Sequence, residues 1–198
     1  MKIFQIITRT DLGGAQSVVV NLANELCKDH EVIVAAGEGD GKMWKLLAPS
    51  IKREEISSLH RALSPINEIK TLFALRRLYG KYKPDIIHLH SSKVGILGRI
   101  AFPKLKIIYT VHGFDSIRIA YRQYLPLERI LQGYCKVIVG VSEYDGWNLR
   151  GEGIRRNVRV IYNGISIPCA LGGDPFVGIR GYVRKVLCIA CLLYTSPS

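Results

Sequence analysis

The sequence predicts an α/β fold with a doubly wound parallel sheet, and three observations carry that prediction. Short apolar, β-branched runs recur from residue 2 to residue 162. They are too short for helices and too continuously apolar for half-exposed strands, as expected of strands buried on both faces. Segments with helical apolar spacing separate them, and that alternation implies parallel strands joined by crossover helices. Polar residues gather where the runs end, at the carboxyl edge where open α/β sheets bind ligands.

Lys2 to Thr8 reads as the first strand rather than a secretory signal, because its apolar run is too short and no small-residue cleavage site follows. Asp11-Leu12-Gly13-Gly14-Ala15-Gln16 is a glycine loop, and Ser17 to Leu26 is a helix with Val18, Val19, Leu22, Ala23 and Leu26 on one stripe. Glu31 to Ala36 is the next strand. The loop Gly37-Glu38-Gly39-Asp40-Gly41 lacks GxGxxG spacing and reads as a plain connection. Lys42 to Leu47 is a short helix and Lys52 to Ile56 a short strand.

Pro65 to Tyr82 is a firmer helix, with Ser64 as its cap, Pro65 in its first turn and Ile66, Ile69, Leu72, Phe73, Leu75 and Leu78 as its apolar stripe. Lys70, Arg76 and Arg77 occupy its other face, with Lys81 and Lys83 at its end. These cations suit either a solvated face or a membrane-docking one.

Asp85 to Leu89, a helix capped at Ser91-Ser92-Lys93, and Lys106 to Val111 form a β-α-β unit. His88 and His90 are expected on opposite faces of their strand, His88 packed and His90 nearer the crevice. Asp115 to Gln123 matches no regular pattern. Leu125 to Tyr134 is a helix, Lys136 to Val141 a strand, Ser142-Glu143-Tyr144 the cap of a helix to about Arg150, and Val158 to Tyr162 the last clear strand. The expected organisation is a domain over residues 1–165, a linker over 166–183, and over 184–198 the first strand of a truncated second domain with a tail that fits no element.

The 28 Lys and Arg against 16 Asp and Glu give a net charge of +12. Nucleic acid, an anionic membrane surface or an anionic substrate such as a nucleotide diphosphate would each suit that field. The five scattered cysteines argue against a disulfide framework and for a reducing compartment, with cytoplasm as the default. Cys188 and Cys191 have CxxC spacing, but no second pair or nearby His completes a metal site, and no run is long enough for a transmembrane helix.

Gly13-Gly14 before a helix lets backbone amides approach a phosphate, or else makes a tight turn with no ligand. Ser91, Ser92 and Lys93 offer hydroxyls, amides and an ammonium, or simply an ordinary cap. His112, between a buried strand and Gly113-Phe114, could donate to a sugar hydroxyl or be a satisfied structural residue. There is no metal-ligand spacing, P-loop or GxSxG elbow.

Taken in order, GGAQ, PDIIHLHSSKVGILGR, TVHGF, LERI before KVIVGVSE, and VIYNGI resemble the amino-terminal half of a family 4 glycosyltransferase. The form HSSKVGILGR is similar to enzymes building bacterial capsule, exopolysaccharide or O-antigen units on a lipid carrier. The resemblance implies a Rossmann-like acceptor-side domain of a GT-B fold, facing a second domain that binds a nucleotide-sugar co-substrate. Gly13 and Gly14 would approach the donor diphosphate, His112 would contact the donor sugar, and Gln16, His90, Ser91, Ser92 and Lys93 would line the crevice. It also implies retention of configuration and no metal or other cofactor.

The acidic residue usual after NGI is Ser166 here, and the donor-side catalytic motif belongs to the second domain. The chain by itself is therefore expected to be inactive. A lipid-linked or saccharide acceptor at the anionic inner leaflet gives Lys70, Arg76, Arg77, Lys81 and Lys83 a docking role, worth about 1 kcal/mol per cation. A nucleic-acid module would want aromatics interleaved with cations, and Tyr121, Arg122 and Tyr124 are the only such stretch. No nucleic acid is expected. A nicotinamide oxidoreductase would want GxGxxG where this chain has DLGGAQ.

Overall fold

The computed structural model describes residues 1–164. The linker, the second-domain strand, Ser166 and the Cys188–Cys191 pair lie outside the described residues. Met1–Asn163 forms one compact unit. Within Met1–Asn163 the elements are β1 (Lys2–Ile7), α1 (Gly14–Leu26), β2 (Glu31–Ala36), α2 (Lys42–Lys45), β3 (Lys52–Glu55), α3 (Pro65–Tyr82), β4 (Ile86–His90), α4 (Ser92–Ala101), β5 (Ile107–Val111), α5 (Leu125–Leu131), β6 (Val137–Gly140), α6 (Glu143–Gly151) and β7 (Val158–Val160).

All seven strands are parallel, in the order β3-β2-β1-β4-β5-β6-β7. The chain winds outward from β1 to β3, returns beside β1 as β4, and winds outward again. Between β1 and β4 the connections leave in opposite directions, so a crevice opens at their carboxyl ends.

Two apolar layers flank the sheet. Val19, Val20 and Ala23 of α1 and Met43 of α2 pack on Ile7, Val32, Val34 and Ala36. On the other face, α3, α4, α5 and α6 cover Phe4, Ile6, Ile87, Leu89, Ile107, Tyr109 and Ile138. The first face is helix-covered over β1 and β2, while Ile86, His88, Ile108 and Val137 on that same face stay partly exposed. The expected cover on both faces is thus complete, among the described residues, only over the first half of the sheet.

The glycines of HSSKVGILGR are there for close approach. A methyl group at Gly98 would lie 2.6 Å from Leu89, and one at Gly95 would strike the Tyr109 ring. The absence of a Cβ lets α4 sit directly on β4 and β5. Beneath it, the Arg99 side chain has no exposure and lies 4.6 Å over the Tyr109 ring, and its Nη2 donates to Glu128 Oε2 of α5 at 2.6 Å. Arg99 Nε donates to the Gly95 carbonyl at 2.7 Å.

Several sequence expectations change here. Helix α1 starts at Gly14 rather than Ser17, and α5 stops at Leu131, short of Tyr134. Neither Ser64 nor Ser91 makes a side-chain capping bond. Instead, Glu68 reaches back to the Ser64 amide at 3.4 Å. Ser142 does cap α6, accepting from the Asp145 amide at 3.1 Å. The unassigned stretch folds as one π-helical turn, Ser116–Ala120, and one 3-10 turn, Arg122–Tyr124.

The largest correction concerns α3. It buries Thr71, Leu75, Leu78 and Tyr82, whereas Ile66, Ile69 and Phe73 of the expected core stripe face outward. At about 100° per residue the two groups lie on opposite sides of the helix.

Candidate functional site

The carboxyl ends of β1, β4, β5 and β6 bring together most of the polar residues singled out by sequence. Across the crevice, Thr8 Oγ1 after β1 lies 2.6 Å from Ser91 Oγ after β4. Ser91 has φ +113°, a conformation that L side chains rarely adopt. Such strain persists where surrounding structure over-determines it, commonly at ligand sites.

Helix α1 opens beside this junction. Its N-cap, Gly13, is extended, with φ −159°, and no side chain caps the first turn. A Cβ at Gly13 would lie 2.9 Å from Gln16 Oε1, and at Gly14 there is open space. The uncapped amides therefore remain available to an anion. Gln16 has a bracing role, its Nε2 donating to the Arg9 carbonyl at 3.3 Å. The loop after β2 is structural as well: Gly39, with φ +145°, packs its backbone against Thr10.

Three histidines form the centre of the site. Residues two apart on a strand share a face, and the His88 and His90 rings accordingly lie 3.9 Å apart, centroid to centroid. The expectation of opposite faces is therefore corrected. Burial is inverted too, since His90 is fully buried while His88 keeps partial exposure. His88 Nε2 lies 2.7 Å from Thr110 Oγ1. His90 Nδ1 lies 3.0 Å from His112 Nε2.

Loss of water holds all three rings in the neutral form. Desolvation brings His88 down to about 3 and His112 to about 4, the second against an opposing pull from Asp145, and it takes His90 well below the usual histidine range. His90 Nε2 is buried without a partner among the described residues. A lone pair there costs less than an unmade N–H bond, so the proton belongs on His90 Nδ1, donating to His112 Nε2. His112 then carries its own proton on Nδ1 and can donate it outside the pair.

Asp145 was not singled out by sequence, although its spacing of three from the cap Ser142 was a usable signal. It is buried at the start of α6. Its Oδ1 accepts from the Phe114 amide at 2.9 Å and its Oδ2 from Ser142 Oγ at 2.7 Å. It thereby ties the His112-Gly113-Phe114 turn to α6. Gly113, at φ +81°, supplies the left-handed residue of that turn.

Ser92 is partly buried in the first turn of α4. Lys93 is not free to bind a ligand: its Nζ donates to the carbonyls of His60 and Ala62 at 2.5 and 2.7 Å and pairs with Glu68 at 2.6 Å. Of the cations beyond, Lys70, Arg76 and Arg77 are exposed, Lys81 pairs with Glu54 at 2.6 Å, and Lys83 ends α3 in a left-handed conformation, at φ +48°. A groove on the opposite, amino-terminal edge is lined by Ile86, Lys106, Ile108, Val137, Asn157 and Arg159. It lies at the far ends of the strands from the histidines and α1, so the chemistry is assigned to the carboxyl edge.

The neutral histidines make stability depend on pH. Each accepts a proton more readily when unfolded, so its contribution is complete above about pH 6.5 and declines as the pH falls toward 4 for His112 and 3 for His88. Each histidine adds at most about 1.4 kcal/mol per pH unit. The urea midpoint of the protein should therefore fall between pH 7 and pH 5, and His88→Asn should flatten that slope. A midpoint that stays constant over this range would contradict the neutral assignment.

The family model described as Glycosyltransferase Family 4 matches residues 12–167. The chain is 33% identical over 121 residues to the UDP-Gal:alpha-D-GlcNAc-diphosphoundecaprenol alpha-1,3-galactosyltransferase of Escherichia coli, covering 56% of this chain and 31% of that protein. It is 32% identical over 122 residues to a Campylobacter jejuni alpha-1,4-N-acetyl-D-galactosaminyltransferase acting on a diNAcBac-PP-undecaprenol-linked acceptor, covering 59% and 33%. Among solved structures, Anabaena HepE in complex with UDP and glucose superposes with a TM-score of 0.66 at 20% identity, covering 84% of this chain and 45% of that one. The chain thus spans about a third of the length of these two curated relatives.

Proposed function

This chain belongs to glycosyltransferase family 4, and on that premise we propose that the full-length protein moves a sugar from a nucleotide-sugar donor to a lipid-linked acceptor in the synthesis of a bacterial surface polysaccharide. The observation that carries the reading is the constellation at the switch point: the uncapped amino terminus of α1 at Gly13-Gly14, and the neutral His112 held 3.0 Å from His90. In the transfer, the bond from the anomeric carbon to the diphosphate breaks and its electron pair leaves with the nucleoside diphosphate. The acceptor hydroxyl oxygen bonds to that carbon and passes its proton to the departing diphosphate.

In this reading the amides of α1 face the charge that grows on the diphosphate, and His112 donates from Nδ1 to a hydroxyl of the donor sugar. A neutral donor suits that task, since it needs no deprotonation near pH 7. Ser91 and Thr8 line the acceptor wall. The reading further assigns retention of anomeric configuration and charge stabilisation by protein dipoles, without a metal. It places the enzyme at the anionic inner leaflet, held there peripherally. Two relatives named for undecaprenol-linked acceptors support the acceptor class.

The test is an assay of the full-length protein with radiolabelled UDP-sugars and a short-chain polyprenyl-diphosphate sugar acceptor. Transfer is expected to persist in EDTA, with the new linkage keeping the donor's anomeric configuration. Hydrolysis of the donor without transfer, or no turnover with any nucleotide-sugar, would overturn the reading.

A further inference from the structure

Helix α3 displays an apolar ridge that its packing does not explain. Ile66, Ile69 and Phe73 are 67%, 55% and 66% exposed, and Leu63 just before the helix is 64% exposed. Their spacing puts the three helical residues within an arc of about 60°, directly opposite the buried Thr71, Leu75, Leu78 and Tyr82. Single exposed apolar residues are ordinary, but a contiguous ridge with this spacing marks a surface that meets something else.

On α3 itself the exposed charge beside the ridge is of one sign. Arg76 lies on one flank and Lys70 and Arg77 on the other, all exposed. The single acid of α3, Glu68, is turned away and bound to Lys93. An outward face with large apolar residues along its middle, cations on both flanks and no acid is the pattern of a helix lying in a membrane interface. Lys81 and Lys83 contribute less than the sequence suggested, since one is paired with Glu54 and the other closes the helix.

Position agrees with pattern. Helix α3 joins β3 to β4 and runs antiparallel to the sheet, so its first turn sits at the carboxyl edge. The contact of Lys93, in the first turn of α4, with Glu68 and with the His60 and Ala62 carbonyls confirms that placement. The ridge therefore begins at the edge that holds Ser91 and His112.

We propose that Leu63, Ile66, Ile69 and Phe73 insert into an anionic lipid bilayer, with Lys70, Arg76 and Arg77 on its headgroups, and so seat the crevice against the membrane surface. The proposal rests on the lipid-linked-acceptor reading for its purpose, but not for the binding itself. Cations alone would give a contact that salt abolishes, whereas the ridge adds a component that salt does not screen.

The full-length protein is mixed with vesicles of neutral phosphatidylcholine, with and without about a third phosphatidylglycerol, and sedimented. Binding is expected to favour the anionic vesicles and to survive in part at high salt. The triple variant Ile66→Ser, Ile69→Ser, Phe73→Ser, altered only at exposed positions, should bind at least about tenfold more weakly with all its cations in place. The pair Arg76→Glu, Arg77→Glu should lose the preference for anionic lipid. In Phe73→Trp, emission should shift to the blue on binding and be quenched by brominated acyl chains.

Equal binding by the triple variant and the parent would overturn the proposal. So would a dimeric parent that the triple variant turns monomeric with vesicle binding unchanged, which would make the ridge a contact between copies. Transfer to a water-soluble, short-chain acceptor should stay within about twofold in the triple variant. If the protein binds vesicles as expected but transfers no sugar, the functional reading fails and the membrane surface stands.

Discussion

Replacing His112 with alanine should lower the turnover of sugar transfer by about 10²-fold, the order lost when a reacting group is no longer held in position. His112 suits the role because three constraints act on it together. The His90 ring fixes its Nε2 at 3.0 Å, the left-handed Gly113 sets the turn, and the buried Asp145 holds the next amide at 2.9 Å. Desolvation, bringing it to about 4, keeps the ring neutral at working pH.

An interaction strengthened only in the transition state should depress kcat more than it raises KM for the donor. The substitution also strips His90 Nδ1 of its acceptor, at a cost of about 1–3 kcal/mol. Far-UV circular dichroism and the urea midpoint therefore accompany the kinetics. His112→Gln, which retains a side-chain donor, should recover part of the rate. Unchanged turnover in His112→Ala would remove the residue from the site.

The largest stability effect is expected beneath α4. Glu128→Leu leaves the Arg99 guanidinium, which has no exposure, without its carboxylate, and breaking a buried pair in this way costs about 3–5 kcal/mol. Arg99 Nη1 already lacks a partner among the described residues, so the pair as it stands offsets only part of its desolvation. Replacing both residues, Arg99→Met with Glu128→Leu, should therefore be milder than either single change. A double-mutant cycle in urea measures the coupling. Additive costs, with no coupling between the two positions, would refute the account.

These two predictions draw on different kinds of legibility. His112 was visible as a polar residue between a buried strand and a Gly-Phe pair, and the matched family model covers the segment that contains it. Arg99 did not stand out in the sequence, being one of two basic residues in the stretch HSSKVGILGR. Its importance arises because Gly95 and Gly98 let α4 sit directly on β4 and β5, where the Arg99 side chain is buried over Tyr109 and bonded to Glu128. Asp145 was similarly veiled, because an acid three residues after a serine cap reads as a local helix signal. Its bond to the Phe114 amide joins residues 31 apart.

Periodicity alone determined the strand count, the parallel winding and the edge on which to look for chemistry, because period and run length are local properties that burial imposes on every strand and helix. What only the tertiary structure decided was which way those elements face. The α3 stripe satisfied a helical period yet spans both the buried and the outward sides. Ile66, Ile69 and Phe73 face outward because Thr71, Leu75, Leu78 and Tyr82 occupy the side that meets the sheet and α4. Likewise, His88 and His90 share a face by strand geometry, but which of them is buried, and that His90 meets His112, depends on the register of β4 against β5. Register and facing are set by long-range packing, and a single chain read in order carries no record of it.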